Sequence, residues 1–354
     1  MKLRSAIAVV LATTSLTATI ANADAARVFI PEGSADAIRV IDFESGKNVG
    51  SIADVEAVHG LAGSPNSPYL VAGSYMEFDR DEVADMAKPD TVSEDEHAVH
   101  HAKPKKVLGP SDAGISMLSV IDAETSAVVR KIEVPGAVHH VSMSPNGKYA
   151  VSTHPSGDGV SIVDLENFEL IAWIPTGPMP NYAAFGASSD VFYVSNAGNG
   201  TVSEVDLKRG IVRRNMVSGD TPEHLALDAE TNKLYVADSD VGTVIELDLT
   251  NGQETGRFEI GGEIHGLDLS DDRASLFVAA KGTDRIVSID LGSGALTAKT
   301  LAPAPYHLTT VPGEDTVYVS SRDEPKVWVV DAQTLTAVDE IQIEGEGHQM
   351  VVRK

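Results

Sequence analysis

The sequence predicts an all-β protein: a seven-bladed β-propeller of four-stranded blades, closed by its C-terminal segment 345–354. Three observations predict it. Seven β-like runs end in an aspartate, at Asp42, Asp122, Asp164, Asp206, Asp248, Asp290 and Asp331, spaced by 42 or 41 residues after a first step of 80. Apolar and polar residues alternate over short stretches, and no window carries a helical period. Gly, Asn, Asp and Thr fill the intervals, as tight turns require. A period near 42 residues with four strands per unit marks a propeller blade.

The segment beginning "PEHLALDAETNKLYVADSDVGTVIELDLTNG" illustrates one unit. Its strands are expected at His224 to Leu227, Lys233 to Ala237, Thr243 to Asp248 and Gly256 to Ile260. We letter them a to d, from the channel outward. The repeat region spans 26–354. It starts with a strand b, "ARVFIPEG", so the first blade lacks its strand a. The final "HQMVVRK" has the strand-a pattern and nothing after it. It is therefore expected to complete blade 1, which removes two free sheet edges and locks the ring. Each repeated aspartate is expected to cap the turn that follows its strand.

Residues 1–25 read as a secretory signal peptide. Lys2 and Arg4 form the basic start, Ala6 to Ile20 the apolar middle, and "ANA" or "ADA" a small-residue cleavage site. The expected location is the periplasm, and no later stretch is long and apolar enough to span a bilayer. The chain has no cysteine. Disulfides, thiolate metal sites, iron–sulfur clusters and covalent c-type haem are thereby excluded. A formal charge of −25 repels nucleic acid and anionic lipid and attracts cations or basic partners.

The entries to strand a carry the chemistry. Aligned, they place His59, His139, Tyr182, His224, His265, His307 and His348 at one position, in steps of 80, 43, 42, 41, 42 and 41. Strand a lines the central channel, so six imidazoles and one phenol are expected to face a common axis. Imidazole nitrogens suit zinc and copper. Crowding and burial would keep them neutral, which is the ligating form. The alternative is that repetition copied one histidine whose role is to bond backbone. The residues just before the histidines differ in most blades, reading AV, AV, PE, EI, PY and EG, which favours the metal reading. His140 is expected to point the opposite way from His139 and to pack between blades, with a distortion at the strand entry that brings both inward as the alternative.

A second feature lies at 76–113, inserted between strands b and c of blade 2. Its "SEDEHAVHHAKPKK" carries His97, His100 and His101 beside three acidic residues, and the insertion holds Pro89, Pro104 and Pro110. It reads as a mobile loop over the same mouth and a secondary metal site. His154, Glu32, Lys281 and Arg322 occupy equivalent b–c turns and are candidates for the outer vestibule. Trp173 and Trp328 read as packing residues. No P-loop, nucleophile elbow or HExxH is present, so no catalytic residue is assigned.

"FYVSNAGNGTVSEVDLKRG", "LYVADSDVGTVIELDLTNG" and "VHHVSMSPNGKYAVS" resemble the YVTN repeat family, over nearly the whole of 26–354. The resemblance implies an extracytoplasmic propeller akin to surface-layer repeats and to d1-haem domains. The histidine hub is also similar in kind to the propeller hub that holds the copper cluster of nitrous oxide reductase. No segment here corresponds to that enzyme's separate copper domain. Some periplasmic zinc chaperones that serve ABC transporters are propellers too. The leading expectation is thus a propeller that captures zinc or copper and delivers it to a periplasmic receiving protein or transporter binding protein. The alternatives are a haem- or d1-haem-handling propeller, with a ring histidine as axial ligand, and a metal-free interaction scaffold.

Overall fold

The computed structural model describes residues 26–78, 108–110 and 112–354. The expected signal peptide and His97, His100 and His101 lie outside the described residues. Seven four-stranded antiparallel sheets form a ring, a seven-bladed β-propeller. Blade 5 shows how the sequence reading fared. Its strands are Pro222–Asp228, Lys233–Asp238, Thr243–Asp248 and Gln253–Glu259. Strand c falls where expected. Strand d starts three residues earlier than the sequence suggested, because it holds its pairing across a bulge opposite Glu246 and Leu247.

Ring closure follows the sequence reading. Val351–Arg353 pairs antiparallel with Arg27–Glu32, placing Phe29 opposite Val351 and Arg27 opposite Arg353. The Arg353 guanidinium donates to Ser64 O at 2.9 Å and Ser67 O at 2.7 Å, which ties the closing strand to blade 2. Each innermost strand touches those of both neighbouring blades, all the way round.

The core lies between blades. Val71 and Leu118 of blade 2 pack on Ala150 and Val163 of blade 3, and Phe277 and Ala279 of blade 6 pack on Val317 and Trp328 of blade 7. Alternation explains this: one face of each sheet meets the preceding blade and the other meets the next. The seven repeated aspartates cap turns. Asp42, Asp122, Asp164, Asp206, Asp248, Asp290 and Asp331 each accept a backbone N–H two or three residues ahead, at 2.7–2.9 Å. Among the described residues no helix is long and apolar enough to cross a membrane.

Candidate metal centre

Where strand a leaves the channel mouth, the blades share a β-bulge. Two residues on strand a oppose one on strand b. In blade 3, His139 N donates to Thr153 O at 3.0 Å while Thr153 N donates to His140 O at 3.0 Å. Blade 6 repeats the pattern with His265 and Gly266 opposite Ala279. The register shifts at the same place in blades 2, 4, 5 and 7. Strand-b hydroxyls hold several of these bulges. Thr153, Ser195 and Ser320 accept from the backbone N–H of His140, Tyr182 and His307 at 3.1, 3.0 and 3.1 Å. Thr153 and Ser195 then donate to Asn181 O and Glu223 O of the next blade.

The bulge corrects the sequence alignment. Each blade offers two adjacent residues to the axis. The first series is His59, His139, Asn181, Glu223, His265, Tyr306 and His348. The second is Gly60, His140, Tyr182, His224, Gly266, His307 and Gln349. The sequence reading took members of both series as one position. It also set His140 pointing away, on strict alternation, with a strand-entry distortion as the alternative. The bulge turns His140 inward, so seven histidines meet at the hub. Blades 2 and 6 carry glycine in the second series because neighbouring backbone fills the space. A Cβ on Gly60 would lie 2.7 Å from Val141 N, and one on Gly266 would lie 2.7 Å from Tyr306 O.

The imidazoles pack directly on one another. Ring centroids are 4.8 Å apart for His140–His224, 4.3 Å for His224–His265, 4.8 Å for His265–His307 and 5.4 Å for His140–His307. One nitrogen from each of these four lies within 4.8 Å of the others. All four are at most 5 % exposed. Their Nε2 atoms are buried without a hydrogen-bond partner among the described residues. An orphaned buried polar atom is costly, and four imidazole nitrogens this close together match in number and type the donors that a tetrahedral ion takes. Two shallower groups adjoin them: His59 with His307 and His348, and His59 with His139 and His140. Their mouth is marked by Tyr75, half exposed at 51 %, whose ring lies 5.3 Å from His59 and 5.6 Å from His139.

In His59, His140 and His265 the Nδ1 nitrogen is anchored. Nδ1 of His59 lies 2.8 Å from His139 O, and Nδ1 of His140 lies 2.9 Å from Asn181 O. Nδ1 of His265 lies 3.0 Å from the Glu223 carboxylate. Donation from Nδ1–H fixes the tautomer and leaves the Nε2 lone pair free. Burial, reinforced for most by neighbouring imidazoles, holds His59, His140, His224, His265 and His307 well below the usual histidine value. His139 is lowered too, chiefly by burial. Burial, with Arg322 nearby, takes His348 to about 3. All seven are therefore neutral at pH 7, ready to ligate.

Tyr182 stands beside the cage, 4.9 Å from His140 and 4.6 Å from His224 between centroids. Burial pushes its phenol up to about 12, so it keeps its proton and serves as a hydrogen-bonding group. The vestibule candidates divide. His154 is buried on Trp173, bonds Gly136 O at 3.1 Å and lies 3.0 Å from the Ser152 hydroxyl. Glu32 is fully buried, pairs with Arg39 and accepts the N–H groups of Glu344 and Gly345. Both are structural. Lys281 and Arg322 do face the mouth, over the Tyr306 ring, paired with Glu263 and Glu346 respectively.

No family profile matches this sequence, and no curated protein does either. Solved structures share the fold. A Kuenenia stuttgartiensis hydrazine synthase chain superposes with a TM-score of 0.67 at 14% identity, covering 92% of this chain and 100% of that one. A putative 6-phosphogluconolactonase from Bacteroides fragilis gives 0.69 at 14% identity, covering 94% and 99%. At that identity the likeness shows a propeller and nothing finer.

Proposed function

We propose that the hub binds a transition-metal ion, zinc or copper, and that the protein captures, retains and hands on that ion in the periplasm. One observation carries the reading: four buried Nε2 atoms with no hydrogen-bond partner among the described residues converge from four blades. Nδ1 of His140 is taken by a backbone carbonyl and Nδ1 of His265 by a carboxylate, which leaves Nε2 of both rings without a protein partner among the described residues. An all-nitrogen cage accepts both metals. His59, His139 and His348, near the mouth, form the receiving tier. His140, His224, His265 and His307, deeper, form the retaining tier. The segment with His97, His100 and His101 would supply first capture and exchange with a receiving protein.

A haem is a poorer guest. Neighbouring hub imidazoles lie 4.1–6.0 Å apart between centroids, several of them edge-on, which leaves no slot for a flat macrocycle among the described residues. Lys281 and Arg322, candidate partners for haem carboxylates, are already paired with glutamates.

Elemental analysis after zinc or copper loading and desalting tests the reading. At least one ion per chain is expected, with a marked loss in His224→Ala/His307→Ala. Fewer than about 0.2 ions per chain would leave the interaction scaffold as the better account.

A further inference from the structure

One carboxylate at the mouth stands between a cation and a hub histidine. Oε2 of Glu346 lies 3.7 Å from Nε2 of His348, and its Oε1 lies 2.6 Å from Nη1 of Arg322. We propose that Glu346 and Nε2 of His348 form an entry site for a divalent transition-metal ion, which displaces Arg322 from the carboxylate and then passes inward to the hub. The inference rests on the metal-binding reading above. It adds to that reading a ligand that is not an imidazole and a charge that competes with the arriving ion.

Distance separates this pair from the other carboxylate–histidine contact of the hub. Glu223 lies 3.0 Å from Nδ1 of His265, which is a hydrogen-bond separation. Glu346 and His348, at 3.7 Å, are too far apart for one. Two ligand atoms each about 2 Å from a tetrahedral ion stand roughly 3.3 Å apart, so a small turn of the carboxylate lets both hold one ion. His348 is free to take part. Its Nδ1 is buried without a hydrogen-bond partner among the described residues, so no bond from Nδ1 to the protein decides which ring nitrogen carries the proton. Gly33 keeps the other edge of the ring open: a Cβ there would stand 3.0 Å from Nε2 and 3.1 Å from Cδ2.

The carboxylate is placed to change partners. The Glu346 backbone is pinned to blade 1: its N–H donates to the Ser34 hydroxyl at 3.2 Å, and its carbonyl accepts Gly33 N at 3.2 Å. The side chain is half exposed, and Nη1 of Arg322, though close, makes no aligned hydrogen bond to it. Charge alone joins the two, and an exposed pair of that kind is weak. Arg322 also lies 5.3 Å from the centre of the Tyr306 ring, a cation–π contact that keeps the guanidinium at the mouth when the carboxylate turns away. Inward, the His348 ring is 4.1 Å from His59 between centroids, and these two with His307 form one of the three-nitrogen groups. The next set of ligands is therefore one short step from the entry.

Glu263 is the matched control. Its side chain is 44% exposed against 45% for Glu346, and it pairs with Lys281 as Glu346 pairs with Arg322. Among the described residues it pairs with no histidine. Stopped-flow mixing of the metal-free chain with cobalt(II), followed through the visible bands of the ligated ion, is the test. Uptake in Glu346→Gln is expected to be about tenfold slower, a loss of about 1.4 kcal/mol at the entry step, while Glu263→Gln stays within about twofold of the parent. The slowing should persist in 1 M salt, where charges are screened beyond about 3 Å. Arg322→Gln should load faster than the parent, and the double variant Arg322→Gln/Glu346→Gln should be as slow as Glu346→Gln. Equal slowing in the two glutamate variants overturns the proposal, as does slowing that vanishes in salt, because either makes Glu346 one attracting charge among several. An unchanged rate in Glu346→Gln, or an Arg322→Gln chain no faster than the parent, overturns it too. In each of those cases the hub still fills. A parent chain that takes up no cobalt removes the metal-binding reading itself, and the entry site with it.

Discussion

Nδ1 of His265 lies 3.0 Å from Oε2 of Glu223, across the boundary between blades 6 and 5. In a neutral ring that contact is an N–H donating to the carboxylate, and it turns Nε2 toward the cage. Partners of this kind typically tune metal affinity about 10–100-fold. Glu223→Ala is expected to weaken zinc or copper binding by about that factor. Glu223→Gln keeps an acceptor oxygen and should lose less. Competition with a coloured chelator measures both.

His139 and His140 are neighbours in sequence and differ in depth. His140 belongs to the buried four-ring group, whereas His139 belongs only to a shallower one. His140→Ala should remove the tightest class of binding. His139→Ala should leave that class in place and slow loading. Isothermal titration together with stopped-flow uptake separates the two effects.

That pair also shows what was legible in the sequence. The blade count, the closing strand and the inward face of six histidines were readable, because a 42-residue period and β alternation are local properties. The inward turn of His140 was readable only as an alternative, because strict alternation cannot register an inserted residue. The trace of the bulge was present all the same. The histidine steps wavered between 41 and 43 while the aspartate steps held at 42 or 41, which is what mixing two adjacent positions produces. Pairing of Nδ1 with carbonyls of the next blade, as in His59 with His139 O, depends on inter-blade geometry and left no sequence signal. Glu223 likewise could not be singled out among 52 acidic residues.

Acid should destabilise the metal-free protein. The folded-state pKa of every hub histidine lies below the unfolded value of 6.5, and that of His348 falls to about 3. Below 6.5 the unfolded chain binds protons that the folded hub refuses, so stability is full above that pH and drains as pH falls. For His348 the window runs from 6.5 to about 3. Each such group costs about 1.4 kcal/mol per pH unit. Several such groups acting together draw on a total stability that is typically only about 5–15 kcal/mol. Circular dichroism against pH should show a steep acid transition, delayed by bound metal. A variant with several hub histidines replaced by Gln should unfold at lower pH.

Metal affinity itself should vary little with mild acid. Four unshifted histidines would lose about two hundredfold in affinity between pH 7.5 and 6.0 through proton competition. The neutral cage should lose less than about tenfold. Chelator competition at the two pH values distinguishes them.

Closure of the ring depends on the last residues. Removing residues 349–354 deletes the strand paired with Arg27–Phe29, the Gln349 brace and the Arg353 contacts to blade 2. An open ring exposes two sheet edges. The truncated chain should be aggregated or unfold without a cooperative transition. Gln349→Ala alone should cost about 1–3 kcal/mol through the unpaired Leu61 and Val141 N–H groups, measured by urea unfolding.

Anomalous diffraction from crystals of the metal-loaded protein tests the central claim most directly. The account predicts an anomalous peak on the propeller axis, within bonding distance of Nε2 of His140, His224, His265 and His307. A hub without a peak, in crystals whose metal lies elsewhere on the chain, would contradict it.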